Sequence, residues 1–163
     1  MIIYFGNLAL WFILFFSILQ FFANYKKNFI FRFNKIFVLG LLFSALTAFF
    51  LLMYAHIISD FRLVNVFENS HTSKPLIYKI TGIWGNHEGS MLLWILVLTI
   101  FNYFIYQLNT EYNLKFISKT LETQSLIIFG FAIFTIITSN PFEQMNVFTE
   151  NGLGFNPILQ DPA

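Results

Sequence analysis

Cysteine is absent from the 163 residues. That excludes a disulfide frame, a zinc ribbon, a thiolate-held iron–sulfur cluster and a Cys-x-x-Cys-His attachment site on this chain. Charge is almost as scarce. Nine Lys and Arg and eight Asp and Glu make 10% of the residues, where a soluble domain carries about a quarter to keep its surface solvated. So few charges cannot cover a water-facing surface, which excludes an ordinary soluble enzyme. With 57% hydrophobic residues, the chain is no disordered segment either. The net charge of +1 is too small to neutralise a row of phosphates, so no nucleic-acid partner is expected. A mean hydropathy of +0.68 completes the argument: the chain belongs in a membrane, with lipid as its first partner.

The few charges mark the spans by where they are missing. Met1 to Tyr25 gives 25 uncharged residues, Ile36 to Ser59 gives 24, Gly89 to Thr110 gives 22 and Thr123 to Phe142 gives 20. About 20 apolar residues in a helix rising ~1.5 Å each cross a ~30 Å hydrocarbon core. Helices also satisfy their own backbone where water is missing. The first gap has no basic leader and no small-x-small cleavage site, so it reads as a span rather than a signal peptide. The expected fold is all-α, with four transmembrane helices.

Lys26, Lys27, Arg32 and Lys35 crowd the first connector, and Lys115 and Lys119 lie near the third. The longer segment from Asp60 to Glu88 has only Arg62, Lys74 and Lys79, and the tail from Glu143 onward has no basic residue. The positive-inside rule therefore puts the first and third connectors on the inner side. Both termini, the 60–88 loop and the tail then face the outer side, where the two outer segments should emerge beside each other.

The outer loop holds the unusual residues. Asp60-Phe-Arg-Leu-Val-Asn-Val-Phe67 alternates apolar positions and is read as a short strand. Asn69-Ser-His-Thr-Ser-Lys-Pro75 is a turn, with Pro75 opening a short helix through Leu76, Ile77, Tyr78 and Ile80. The block Trp84-Gly-Asn-His-Glu-Gly-Ser-Met-Leu-Leu-Trp94 follows. Gly82, Gly85 and Gly89 permit tight turns or close backbone approach. Asn86 is a cap candidate, and Glu88 suits the positive end of a helix. His87, Met91, Trp94 and Leu98 share one helix face. Capping and an interfacial tryptophan belt account for much of this block, but not for Trp, His, Glu and glycines gathered in so few residues. Trp84, Gly85, His87, Glu88, Gly89 and Trp94 are therefore the candidate partner-facing or ligand-proximal residues. The His-Glu pair lacks the second histidine of a zincin, and no metal site is expected. His56, the one histidine inside a span, is read as bonded to water or to Asp60, and His71 as solvated. Ser44, Thr47 and Thr135 are read as helix-packing or backbone-bonding residues rather than catalytic ones.

Three motifs in order carry a resemblance. The Trp84–Trp94 block, then Ser139-Asn-Pro-Phe142, then Asn156-Pro-Ile-Leu-Gln-Asp-Pro162 resemble the N-terminal part of the CcmF family of cytochrome c maturation haem lyases. The opening Tyr4-Phe-Gly-Asn-Leu-Ala-Leu10 and the stretch from Asp60 to Lys79 fit the same family. The resemblance implies a multi-pass protein of a bacterial or mitochondrial inner membrane that handles haem as its cofactor. Its implied partners are a CcmE-type haem carrier, a CcmH-type thioredoxin-like apocytochrome-binding subunit and apocytochrome c itself.

This sequence also departs from the family. The family's tryptophan-rich loop is missing, Trp11, Trp84 and Trp94 being the only tryptophans. None of His56, His71 and His87 matches a family haem-ligand position, so no catalytic residue and no haem ligand is carried over. Residues 1–88 are expected to form a helix pair with its outer loop, and 89–163 the start of the haem-handling domain, cut before the tryptophan-rich loop. The chain is thus expected to be an N-terminal piece or one product of a split gene. Two other classes stay open: a small respiratory-complex subunit, which calls for charges deep in the spans, and a transporter component, which calls for repeats or broken helices.

Overall fold

The computed structural model describes residues 1–25, 34–107, 114–146 and 149–153. Four long helices dominate it: α1 (Ile2–Tyr25), α2 (Asn34–Ile57), α5 (His87–Gln107) and α6 (Leu114–Thr138). Two short ones, α3 (Val64–Asn69) and α4 (Leu76–Thr81), lie between α2 and α5. All four prolines of the chain fall outside the long helices, so no span loses a ladder hydrogen bond to a proline. Each long helix is long and apolar enough to cross a membrane. The four expected spans are all present, with shifted starts. α5 begins at His87, and α6 begins at Leu114, well before the charge-free stretch, carrying Lys115, Lys119 and Glu122 in its first turns. Lys119 and Glu122 pair at 2.6 Å along that helix, which lets charges sit on a helix that later enters the apolar layer.

Around the bundle, α1 packs on α2 and α6, and α5 packs on the same two helices. The core is drawn from all four: Leu10 and Ile13, then Leu41, Ala45, Ala48 and Leu52, then Leu92 and Ile95, then Ile128 and Ala132, none more than 1% exposed. The steps 41, 45, 48, 52 are heptad-like and bring small alanines to the α2 contact, so backbones approach closely. Outward faces are apolar as well: Phe5, Phe12, Phe15, Phe43, Phe50, Phe101 and Phe104 are exposed. A helix that is hydrophobic all round needs lipid outside it.

Polar side chains stitch the interior. Gln20 and Asn102, both fully buried, exchange two amide bonds across the bundle, Gln20 Nε2 to Asn102 Oδ1 at 2.8 Å and Asn102 Nδ2 to Gln20 Oε1 at 2.9 Å. Near the same end Asn24 and Asn34 exchange amide bonds at 3.2 Å. Ser44 donates to the Gly40 carbonyl at 2.7 Å, a backbone-bonding role as expected.

The expected strand over Asp60 to Phe67 is replaced by α3. Among the described residues only an isolated antiparallel bridge, Leu63 to Gln144, remains of it. Leu63, extended, holds that bridge, and the helix begins after it, where the adjacent Asn65 and Val66 are both buried, which the alternation of a strand does not allow.

Candidate functional site

The start of α1, the ends of α2 and α6 and the start of α5 meet at one end of the bundle, and the loop residues are built on that platform. α2 stops in a Schellman-like turn. The Asp60 amide donates back to the Ala55 carbonyl at 2.9 Å, with Ser59 at φ 55° in the left-handed region. Asp60 does not meet His56. Instead Arg62 grips it through Nε and Nη2, both at 2.6 Å, and that hydrogen bonding holds the Asp60 carboxyl below its ordinary range. His56 is fully buried inside the bundle, its Nδ1 3.1 Å from the Leu52 carbonyl oxygen. The expected bond to Asp60 is thus corrected: the imidazole is buried in the bundle and Asp60 pairs with Arg62 instead. His71 stays in its turn, 2.7 Å from Ser73 Oγ.

Two lysines tie the loop down. Lys79, on α4, donates to Ser59 Oγ at 2.6 Å, and Lys74 donates to the Asn69 carbonyl at 3.0 Å. Both are largely buried. Burial, with the neighbouring Lys79 charge second, pushes the Lys74 ammonium below its ordinary value. Pro75 opens α4 as expected, leaving Leu76, Ile77 and Tyr78 exposed.

The Trp84–Trp94 block then forms a 3-10 turn (Gly82–Trp84) and the first turns of α5. Asn86 caps α5: its Oδ1 accepts the Gly89 amide at 2.7 Å, and its Nδ2 donates to the Gly82 carbonyl at 3.2 Å. Asn65 of α3 reaches across, donating to Asn86 Oδ1 at 2.9 Å and to Glu88 Oε2 at 3.1 Å. Gly89 is required for contact: a Cβ there would overlap the carbonyl oxygen of the fully buried Ile83. Gly85 is different, with its nearest neighbour in ordinary contact at 3.5 Å. His87 stands exposed, its ring edge-on to Phe134 of α6 at 6.1 Å. Trp84 is 43% and Trp94 58% exposed. The structure therefore gathers Asn86, Glu88 and Gly89 into one network and leaves Trp84, His87 and Trp94 presented outward. Asn65 was missed from sequence, because its partners are 21 and 23 residues away and no local pattern marks them.

Other motif segments arrive at the same platform. Phe142 is fully buried on Gly6, where its ring occupies the space of a Cβ, and Asn140 donates to Asn7 Oδ1 at 2.8 Å. Val64 and Met145 bond backbone to backbone with Glu143 and Arg62, at 3.0 and 2.8 Å, and Thr72 donates to Asn151 Oδ1 at 3.1 Å. The two loop segments do emerge side by side. The Asn156–Pro162 motif lies outside the described residues.

As a haem site the described residues do not fit an axial pair. His56 is sealed in the core, His71 sits in a loop turn and His87 faces Phe134. No cluster of three metal-ligating side chains is present among the described residues.

Four long apolar helices carrying this platform at one end define a multi-pass membrane protein. Sequence comparison names its class: residues 84–163 match the model of the family described as Cytochrome C assembly protein. The cytochrome c-type biogenesis protein ccl1 of Rhodobacter capsulatus is 46% identical over 116 residues, 71% of this chain and 18% of that protein. CycK of Rhizobium meliloti is 47% identical over 116 residues, 70% of this chain and 17% of that protein. CcmF of Escherichia coli is 33% identical over 131 residues, 80% of this chain and 20% of that protein. A solved structure, Cytochrome c Heme Lyase CcmF, superposes with a TM-score of 0.78 at 26% identity, covering 91% of this chain and 26% of that one. The chain belongs to the CcmF-type cytochrome c biogenesis family and corresponds to its N-terminal part. It spans about a fifth of the length of the curated relatives it matches. The respiratory-subunit and transporter readings are not favoured.

Proposed function

We propose that this chain supplies the N-terminal four-helix part of a cytochrome c haem lyase, with the loop end as its working face. The observation that supports this best is convergence: the described segments that resemble the family, residues 4–10, 60–79, 84–94 and 139–142, lie far apart in sequence and pack onto one platform. In this reading residues 1–88 act as scaffold and 89–163 begin the haem-handling domain. Trp84, His87 and Trp94 are presented to haem or to a protein partner, Glu88 and Gly89 hold that surface, and Gly85 lies beside them with room for a methyl group. The partners are a CcmE-type carrier, a CcmH-type subunit and apocytochrome c. With no thiol and no converging histidines among its described residues, the chain holds and orients. Attachment of haem to apocytochrome thiols then draws on groups elsewhere in the lyase.

Trp84→Ala and His87→Ala test this in the whole maturation system. Each is expected to lower covalent haem in c-type cytochromes about tenfold, the effect of ~1.4 kcal/mol lost from a recognition surface. Membrane insertion should be unchanged, since both side chains are exposed. Normal haem staining in both variants refutes the reading and leaves the block as a helix cap with an interfacial belt.

The loop end is assigned to the outer side of a bacterial or mitochondrial inner membrane, on the basic-residue asymmetry. Since the chain has no cysteine, Ser73→Cys provides a single thiol in the exposed turn. An impermeant maleimide is expected to label it from the outer side, and labelling from the inner side reverses the topology.

A further inference from the structure

The glycines of the long helices show what this bundle does with missing side chains. Gly6 of α1 receives the ring of Phe142, Gly40 of α2 receives the ring of Phe16, 2.8 Å from where a Cβ would stand, and Gly89 of α5 receives the Ile83 carbonyl. Each one is filled from within. Gly130 of α6 is the exception: among the described residues nothing lies within 4 Å of where its Cβ would stand. It opens into a groove of about 500 Å³ between α5 and α6, with Met91 on one wall, Leu126, Ile127 and Phe134 on the other and His87 at its loop end.

We infer that this groove seats a further transmembrane helix, from the remainder of the haem lyase, which lays a large apolar side chain over Gly130. A small residue with open space above it lets another helix backbone come close, and in lipid such packing drives association. The wall is almost wholly apolar, so the occupant is an apolar helix face rather than a polar loop. Both groove helices lie inside the stretch that matches the family model, and about four-fifths of each relative's length lies outside the match. A groove between α1 and α2, lined by Phe5, Phe12 and Phe43, makes no such case, because Gly6 and Gly40 are already filled. The inference rests on the haem-lyase reading, which supplies the partner.

The test uses Gly130→Cys in membranes that hold the complete maturation machinery. The single thiol is loaded with a benzophenone maleimide and irradiated. The expected adduct, read by mass spectrometry, is a transmembrane peptide of the lyase from outside residues 1–163. Separately, Gly130→Phe fills the groove. The four helices should insert as before, since the space is open, while covalent haem in c-type cytochromes falls at least about tenfold. Adducts with phospholipid alone, together with normal covalent haem in Gly130→Phe, overturn the docking and leave the Trp84 and His87 tests to judge the haem-lyase reading. An adduct with a helix of a protein outside cytochrome c maturation overturns both.

Discussion

Gly89→Ala is expected to take the loop end apart. The new methyl would overlap the Ile83 carbonyl oxygen and stand 2.8 Å from the Ile83 carbonyl carbon and 3.0 Å from Asn86 Oδ1. Neither neighbour has room to retreat. Ile83 is fully buried, and its turn is pinned by the Gly85 amide on the Gly82 carbonyl at 3.2 Å and by Asn86 Nδ2 on the same oxygen. Moving Asn86 breaks the 2.7 Å cap on the Gly89 amide and the bond from Asn65 together. The cost should reach about 3 kcal/mol or more, the upper end of overpacking. Gly85→Ala is the control within the same motif: with 3.5 Å of clearance and an ordinary right-handed backbone at φ −77°, it should be close to neutral. Thermal unfolding of the purified proteins in detergent, read beside covalent haem in cells, decides it. Equal behaviour of the two variants removes the close-approach argument.

The contrast between those glycines shows where sequence reading stops. Spans were legible because lipid imposes one crude demand, a long stretch without charge, and that demand is written residue by residue. Ends were less so. The start of α6 was misplaced because a paired Lys119 and Glu122 satisfy each other on the helix itself. α3 was read as a strand because alternation and a three-residue spacing coincide over Leu63 to Phe67, and only the packing under the loop separates them. The cap at Asn86 was legible, being local. Which glycine is sterically obliged, which amides meet and which histidine is sealed depend on elements brought together from far along the chain. The family resemblance covered the motifs but did not say that Gly6 and Asn7 exist for Phe142 and Asn140.

The buried amide pair is the second place where a large effect is expected. Gln20 and Asn102 sit in stretches that read simply as uncharged, 82 residues apart. Folded, they form a closed two-bond ring with no exposure. Gln20→Leu leaves the Asn102 amide buried without its partner, and Asn102→Leu does the same to Gln20. Each single variant should lose about 1–3 kcal/mol, because an unmade buried bond costs more than a made one contributes. The double variant Gln20→Leu/Asn102→Leu removes both polar groups at once and should recover most of that loss, giving a coupling of about 1–2 kcal/mol in a thermal unfolding cycle. Additive losses in the cycle would mean that the two amides are held by something other than each other. Recovery has a further consequence. α1 and α5 each face α2 and α6 but are not themselves close-packed neighbours, so the pair is a diagonal strut that fixes their relative height. A leucine pair restores stability without fixing that height. The double variant should therefore keep its melting temperature yet mature c-type cytochromes less well, since the platform at the other end depends on α1 presenting Gly6 and Asn7 to Phe142 and Asn140 in register with the first turn of α5.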